Sequence, residues 1–488
     1  LAAQVFASAL SFATPRTLQA TTPRELTLWG LHGITALDSS IDADLKNDRL
    51  VLATSSATLD SLPVPPAGDA AGWGTAAAEL EQVAFDHSAI LREAGQQALI
   101  QSFFDEMFNH TDPYSRYVPP VPAEEERDKL SVDAGAGLGL VKRAHVIVVS
   151  DVVPGGPAEE AGMRVGDRIL AVDGRRLRGE DPDTVQAMLS GPDGTEMRVS
   201  VRGLDGRTRS VSLTLAAIPP ETVLHRREGT MLVIGITSFT SNTAERLSQA
   251  IEAGLSAKVA PAGIVVDLRG NRGGLIRQAV TAVALFADHG VIASTSGRDP
   301  EATHDWRIEG GDLTHGLPVV VLVDGRTASA AEIMAAALAD LGRGVVVGSA
   351  TLGKGLVQVI TRLPDGGELF VTWSRVLAPL GWPLQALGVI PQVCTSRGEA
   401  EMSHELADLM NGQQDLAGAI AASRSARAPL PVAQAIEIRE ACPAAEGRDG
   451  DMVAAKFLID HPAAYKAALI PLPVVSDHPS GRAGASAR

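Results

Sequence analysis

The sequence predicts a multidomain chain that combines α/β and α+β folds. Three observations carry that expectation. Between residues 219 and 397, apolar strand-like runs alternate with helix-like patterns, as in a partly parallel sheet covered by helices. Between 131 and 218, short strand-like runs are separated by glycine-rich and Asp-Gly turns, with one short helical pattern. Residues 21–130 and 398–488 are mostly helical in periodicity. At 488 residues the chain is long for one domain, and each large segment can bury a core of its own.

Hydrophobic residues make up 45% of the chain and charged residues 20%, an ordinary globular balance. The net charge of -16 argues against a nucleic-acid partner, which would need Lys and Arg to neutralise phosphates. No stretch approaches the roughly 18 apolar residues of an integral membrane segment. Cys394 and Cys442 are too few for a zinc site by themselves; they read equally as a disulfide pair or as two buried thiols. The opening LAAQVFASALSFATP is small and apolar, with Ala7-Ser8-Ala9 suited to signal peptidase. Residues 1–20 therefore read as a signal-peptide remnant or as an N-terminal helix.

Taken in order, residues 24–60 mix apolar and polar patches without a clear period, and 61–74 (SLPVPPAGDAAGWG) reads as a linker. Residues 75–109 repeat apolar positions at helical steps, with a break near Gly95, and Asp112-Pro113-Tyr114-Ser115 ends the block as a turn. Gly137-Leu138-Gly139-Leu140 leads into an apolar run through Val149. A dinucleotide loop would have to open a helix, so a strand at this point excludes one. A short helix at 183–189 and strands at 197–201 and 209–215 follow, the strands joined through Asp205-Gly206. Further on, 231–239 and 262–268 read as strands and 243–257 as a helix. Arg269-Gly270-Asn271-Arg272-Gly273-Gly274 is a glycine-rich turn before a helix at 275–287. Beyond 398, helices are expected at 399–410 and 450–469, then a loose tail from 471.

The chemistry concentrates between Leu317 and Gln358. An apolar run stops at Asp324-Gly325 and a small-residue helix begins near Thr327, which puts Ser329 at a helix start where backbone N–H groups favour negative charge. Lys354 lies between two glycines. A lysine desolvated beside a serine loses its proton more readily and can serve as base to the hydroxyl. GSATLGKG, residues 348–355, falls short of a P-loop, because Gly355 stands where Ser or Thr must hold magnesium and a strand follows. His289, His304 and His315 have no distinctive context, and neither a Gly-x-Ser-x-Gly elbow nor a metal-binding spacing is present. A hydrolase using serine and lysine, without metal or cofactor, fits these residues best.

The 131–218 segment resembles a PDZ domain, with Gly137, Leu138, Gly139 and Leu140 in the loop that in that family holds a peptide's terminal carboxylate. Residues 75–395 as a whole resemble the C-terminal processing peptidases, a family of Ser–Lys serine peptidases. The matching pieces are Asp112 to Ser115, the PDZ-like segment, Asp267 to Gly274, Thr327 to Glu332, Gly353 to Gln358 and Gly388-Val389-Ile390-Pro391. The resemblance implies Ser329 as nucleophile, Lys354 as general base and Gln358 as the residue that positions the amine, from a strand face shared with position 354. It implies an oxyanion hole from the N–H groups of Ala330 and Gly273. Arg272 stands where the family usually has proline, Asp324-Gly325-Arg326 where asparagine is common, and Gln392 where aspartate is usual.

These readings converge on an α/β peptidase core at 219–397, a PDZ domain at 131–218, a helical region at 21–130 and a helical C-terminal region with a tail at 398–488. The expected partners are proteins or peptides with accessible C-termini. The expected location is the periplasm or cell envelope, or outside the cell. The rival expectation is a non-catalytic peptide-binding protein built on a peptidase-like scaffold.

Overall fold

The structure, a computed structural model, describes residues 1–123, 134–153, 155–216 and 221–470; the expected tail from 471 lies outside them. The chain forms two compact units, one from residues 1–119 together with those from 221 onward, the other from 120–220.

The first unit is built around a sheet ordered Val223–Glu228, Met231–Ile236, Gly263–Asp267, Val319–Val323, Val345–Gly348, Val393–Cys394. The first pair is antiparallel and the rest are parallel. Its central strands are apolar up to Asp267 at the end of Gly263–Asp267 because both faces are covered. Ile264, Val266, Val321 and Val323 pack against helices Thr243–Leu255, Ile276–Val283 and Ala330–Asp340. Val265, Val320, Leu322 and Val347 pack against helices Glu399–Met410 and Asp449–Asp460. A second, antiparallel sheet runs His304–Glu309, His289–Gly297, Glu368–Leu377, Leu356–Arg362, and Arg116–Val118 adds to it beside Glu368–Leu377.

That last pairing joins the N-terminal region to the α/β core, and both fall in the first compact unit. Leu363, Leu369 and Val371 of the second sheet share a core with Phe6, Trp73, Phe103 and Phe104. The unassigned residues 24–60 form helix Pro23–Leu37, closed by a Thr22/Glu25 capping box, and most of a three-stranded meander that ends in Thr58–Pro63. The expected linker at 61–74 is not one. Its prolines end the meander, Asp69 caps helix Ala70–His87 and Trp73 is fully buried. The break at Gly95 is present, at φ 90°, a value open to glycine at little cost. Residues Ala2–Ala13, signal-like in sequence, form a helix whose Val5, Phe6, Ala9 and Leu10 are buried in this core. The C-terminal region holds two helices without a sequence signal, Ala417–Ser425 and Val432–Glu440, and the expected helix at 450–469 is divided before Pro462.

The second unit is a sheet ordered Thr208–Thr214, Glu196–Arg202, Arg168–Val172, Val146–Val152, Leu138–Arg143, with helix Pro182–Met188. Among the described residues, Leu138–Arg143 is an edge strand, open to further pairing. Gly137, at φ 74°, turns the chain into it, and a bulge between Gly139 and Leu140 twists its start.

Candidate active site

The turn after strand Val319–Val323 is organised by Asp324. Its Oδ1 accepts the N–H groups of Arg326, Thr327 and Gly270 at 2.9–3.0 Å. The Thr327 hydroxyl donates to the Leu268 carbonyl (2.9 Å), and the Ala328 N–H donates to the Asn271 carbonyl (2.9 Å). The elbow before Ser329 is thus bonded to the glycine-rich turn after strand Gly263–Asp267. Both turns lie at carboxyl ends of parallel strands, where such sheets place ligands. Ser329 itself has φ 57° and ψ -122°, a conformation costly for any residue with a Cβ. It is half-buried, and the fully buried helix Ala330–Asp340 starts at the next residue. The Ala330 N–H, first in that helix, has no intrahelical acceptor.

The Glu332 carboxylate joins the elbow to the lysine loop. It is fully buried, and its Oε2 accepts the N–H of Ser329 (2.8 Å) and of Lys354 (2.9 Å). Its Oε1 accepts the Gly353 N–H (2.7 Å) and the Thr351 hydroxyl. Burial pushes this carboxyl above its usual range, and these donors oppose that shift. Two backbone nitrogens held on one oxygen bring Ser329 and Lys354 within two hydrogen-bond lengths of each other. A further bond, Leu352 N–H to the Thr327 carbonyl (2.9 Å), fixes the approach.

Lys354 and Gln358 are also half-buried. The alternation argument for their shared face does not hold in the structure. Strand Leu356–Arg362 starts after Lys354, and a bulge between Val357 and Gln358 interrupts the period of two. Gln358 instead reaches the site by donating its Nε2 to the Tyr114 carbonyl (2.7 Å). Tyr114 lies in the Asp112 to Ser115 turn. There Asp112 accepts the N–H groups of Tyr114 and Ser115 (both 2.9 Å) and, through the same oxygen, the Thr372 hydroxyl (2.7 Å).

Gly273 packs directly on Ser329: a Cβ there would lie 2.7 Å from Ser329 Cβ and 2.9 Å from the Ala330 nitrogen. Its N–H donates to Asn271 Oδ1 (2.8 Å), and Asn271 Nδ2 donates to the Ile236 carbonyl (2.8 Å). Arg272 between them is exposed. Gln392, fully buried, serves as a backbone substitute by accepting the Val346 N–H (2.8 Å). Sequence reasoning gave no role to Glu332, Asn271 or Tyr114. The one available signal was Ser329-x-x-Glu332, the spacing of a helix capping box. The C-terminal region, which had shown no chemistry, props the site: the Ala445 carbonyl accepts Gly325 N–H (2.7 Å) and Asp451 pairs with Arg269 (3.0 Å). Cys394 and Cys442 are joined as a disulfide.

A family model for Peptidase family S41 matches residues 230–395, and one for the PDZ domain matches 148–203. The chain is 31% identical over 330 residues to the carboxy-terminal-processing protease of Bartonella bacilliformis, across 66% of this chain and 75% of that one. It is 33% identical over 284 residues to the carboxy-terminal processing protease CtpA of Bacillus subtilis, across 58% and 60%. Among solved structures, the photosystem II D1 C-terminal processing protease is 26% identical, with a TM-score of 0.38, over 75% of this chain and 92% of that chain. With its PDZ domain and its peptidase core, the chain belongs to Peptidase family S41, among the carboxy-terminal-processing proteases.

Proposed function

We propose that this chain is a serine endopeptidase that captures substrate C-termini through its PDZ domain and cuts peptide bonds with Ser329 and Lys354. The observation that supports it most is the Glu332 carboxylate, which ties the backbone of the serine to that of the lysine. In this reading the Lys354 amine takes the Ser329 hydroxyl proton as Oγ bonds to the substrate carbonyl carbon. The oxyanion is met by the N–H groups of Ala330 and Gly273. The C–N bond then breaks as the Lys354 ammonium returns the proton to the departing nitrogen, and water repeats the sequence on the acyl-enzyme. Gln358, anchored on Tyr114, offers its Oε1 to the amine. A substrate strand adds to the edge Leu138–Arg143, its terminal carboxylate facing the N–H groups of the Gly137 to Leu140 segment. The disulfide favours a place outside the reducing cytosol, in the periplasm or cell envelope.

The test is cleavage of an unstructured protein substrate, followed by mass spectrometry. Ser329→Ala and Lys354→Ala are expected to abolish cleavage with the thermal midpoint retained, and full activity in Ser329→Ala would refute the reading. One observation favours the rival, a peptide-binding protein that does not cut: the Gly273 N–H is already given to Asn271. Under that reading, a peptide with an apolar C-terminus is bound by the wild-type chain and recovered intact.

A further inference from the structure

We propose that Tyr114 is a positioning residue of this site: its ring seats the Lys354 ammonium, and Gln385 holds the ring by its hydroxyl. The inference rests on the Ser–Lys reading and adds to it two residues that lie outside the serine and lysine segments. Lys354 Nζ lies 5.6 Å from the centroid of the Tyr114 ring, within reach of a cation–π contact. No carboxylate forms an ion pair with this ammonium among the described residues, so the ring face is its cation-stabilising neighbour. That matters because the proton Lys354 takes from Ser329 must be held until the C–N bond breaks, and a four-carbon stem without a seat would let the ammonium leave for water.

The backbone that carries the ring is fixed on both sides. The Tyr114 N–H donates to Asp112 Oδ1 (2.9 Å) and its carbonyl accepts from Gln358 (2.7 Å). Burial pushes its phenol above the ordinary range, and the Gln385 side chain acts in the opposite direction. Gln385 lies on a loop that clasps the lysine turn. The Ala386 N–H donates to the Gly353 carbonyl (3.0 Å), and a Cβ at Gly355 would come within 2.2 Å of the Gln385 nitrogen. Gln385 Oε1 is buried without a partner in the described structure. One turn from the N-terminal region thus faces the ammonium with its ring, and one loop from the core holds the backbone that carries the lysine.

The experiment compares Tyr114→Leu, Tyr114→Phe and Gln385→Ala with the parent in steady-state cleavage of a peptide substrate. Tyr114→Leu keeps an apolar side chain and removes the ring. It is expected to lower kcat by about 10–100-fold with KM changed less than about threefold, as for loss of alignment rather than of binding. Tyr114→Phe keeps the ring and is expected to restore kcat to within about fivefold of the parent, with Gln385→Ala between the two. A Tyr114→Leu kcat within threefold of the parent, or a Tyr114→Phe as impaired as Tyr114→Leu, overturns the proposal. Ser329→Ala and Lys354→Ala are measured in the same series. If they are inactive while Tyr114→Leu is not, only the tyrosine role has failed; if Ser329→Ala is active, the Ser–Lys reading has failed. Thermal midpoints within a few degrees of the parent are the condition under which the variants are compared. If Tyr114→Leu does not fold, Gln385→Ala decides: kcat equal to the parent's overturns the proposal.

Discussion

Ser329 occupies a region of backbone space that costs of order 1–3 kcal/mol, and its neighbours hold it there. One of them is Glu332, whose two oxygens satisfy four donors. Glu332→Gln keeps the shape of that side chain but has one accepting oxygen, and in either orientation its NH2 group meets at least one N–H donor. Each buried donor left without an acceptor costs about 1–3 kcal/mol. The variant is therefore expected to lose several degrees of thermal midpoint and at least tenfold in kcat, read by calorimetry and by peptide cleavage. Unchanged kcat would mean that the carboxylate does not govern the distance between serine and lysine. Ser329 and Lys354 were legible because each stands at a local break, a helix start or a glycine turn. Asn271 and Tyr114 act through contacts that join distant segments, and nothing in their immediate neighbours announces such contacts.

The strands of the central sheet were legible as apolar runs because both of their faces are buried. Helix Ala330–Asp340 was legible from its small residues, which let it pack in full burial. Its far end was not: Asp340 accepts from Trp382 Nε1 (2.7 Å) and Arg424 Nε (3.0 Å), partners dispersed along the chain. The stretch 61–74 misled because its proline and glycine residues also suit a strand end and a helix cap. A further element-level feature is Glu81, on the buried side of helix Ala70–His87 and 5% exposed. Burial pushes its carboxyl up to about 8 from 4.5. The folded state therefore keeps a proton that the unfolded chain releases above about pH 4.5. Stability from this group is complete below that value and falls as pH rises toward 8. At 1.36 kcal/mol per unit the loss is on the order of a few kcal/mol. Glu81→Gln has no proton to lose, so its thermal midpoint is expected to fall less between pH 5 and pH 8 than the parent's. Parallel curves would show that Glu81 titrates as if exposed.

At the scale of the whole molecule, the C-terminal region acts as a strap on the candidate active site. It is closed by Cys394, on the last core strand, and Cys442, 48 residues later. Just beyond Cys442 the chain crosses the carboxyl end of the parallel strands, beside the candidate site. The Ala445 carbonyl accepts from Gly325 (2.7 Å) and Ser349 (2.9 Å), and the Gly447 N–H donates to Asp324 (3.3 Å). Asp324 in turn shapes the elbow that presents Ser329. A loop of this length closed by a disulfide stabilises by roughly 4 kcal/mol in the chain-entropy account. Opening it is expected to release the strap and, through Gly325 and Asp324, to loosen the elbow. Dithiothreitol should lower the thermal midpoint of the 1–119/221–470 unit and reduce peptide cleavage at temperatures where the unit remains folded. The 120–220 unit holds neither cysteine, so its own transition should not move. Cys394→Ser with Cys442→Ser should reproduce the reduced protein and abolish its response to the reagent. If midpoint and cleavage are both indifferent to reduction, the hydrogen bonds from Ala445 and Gly447 hold the strap without the disulfide.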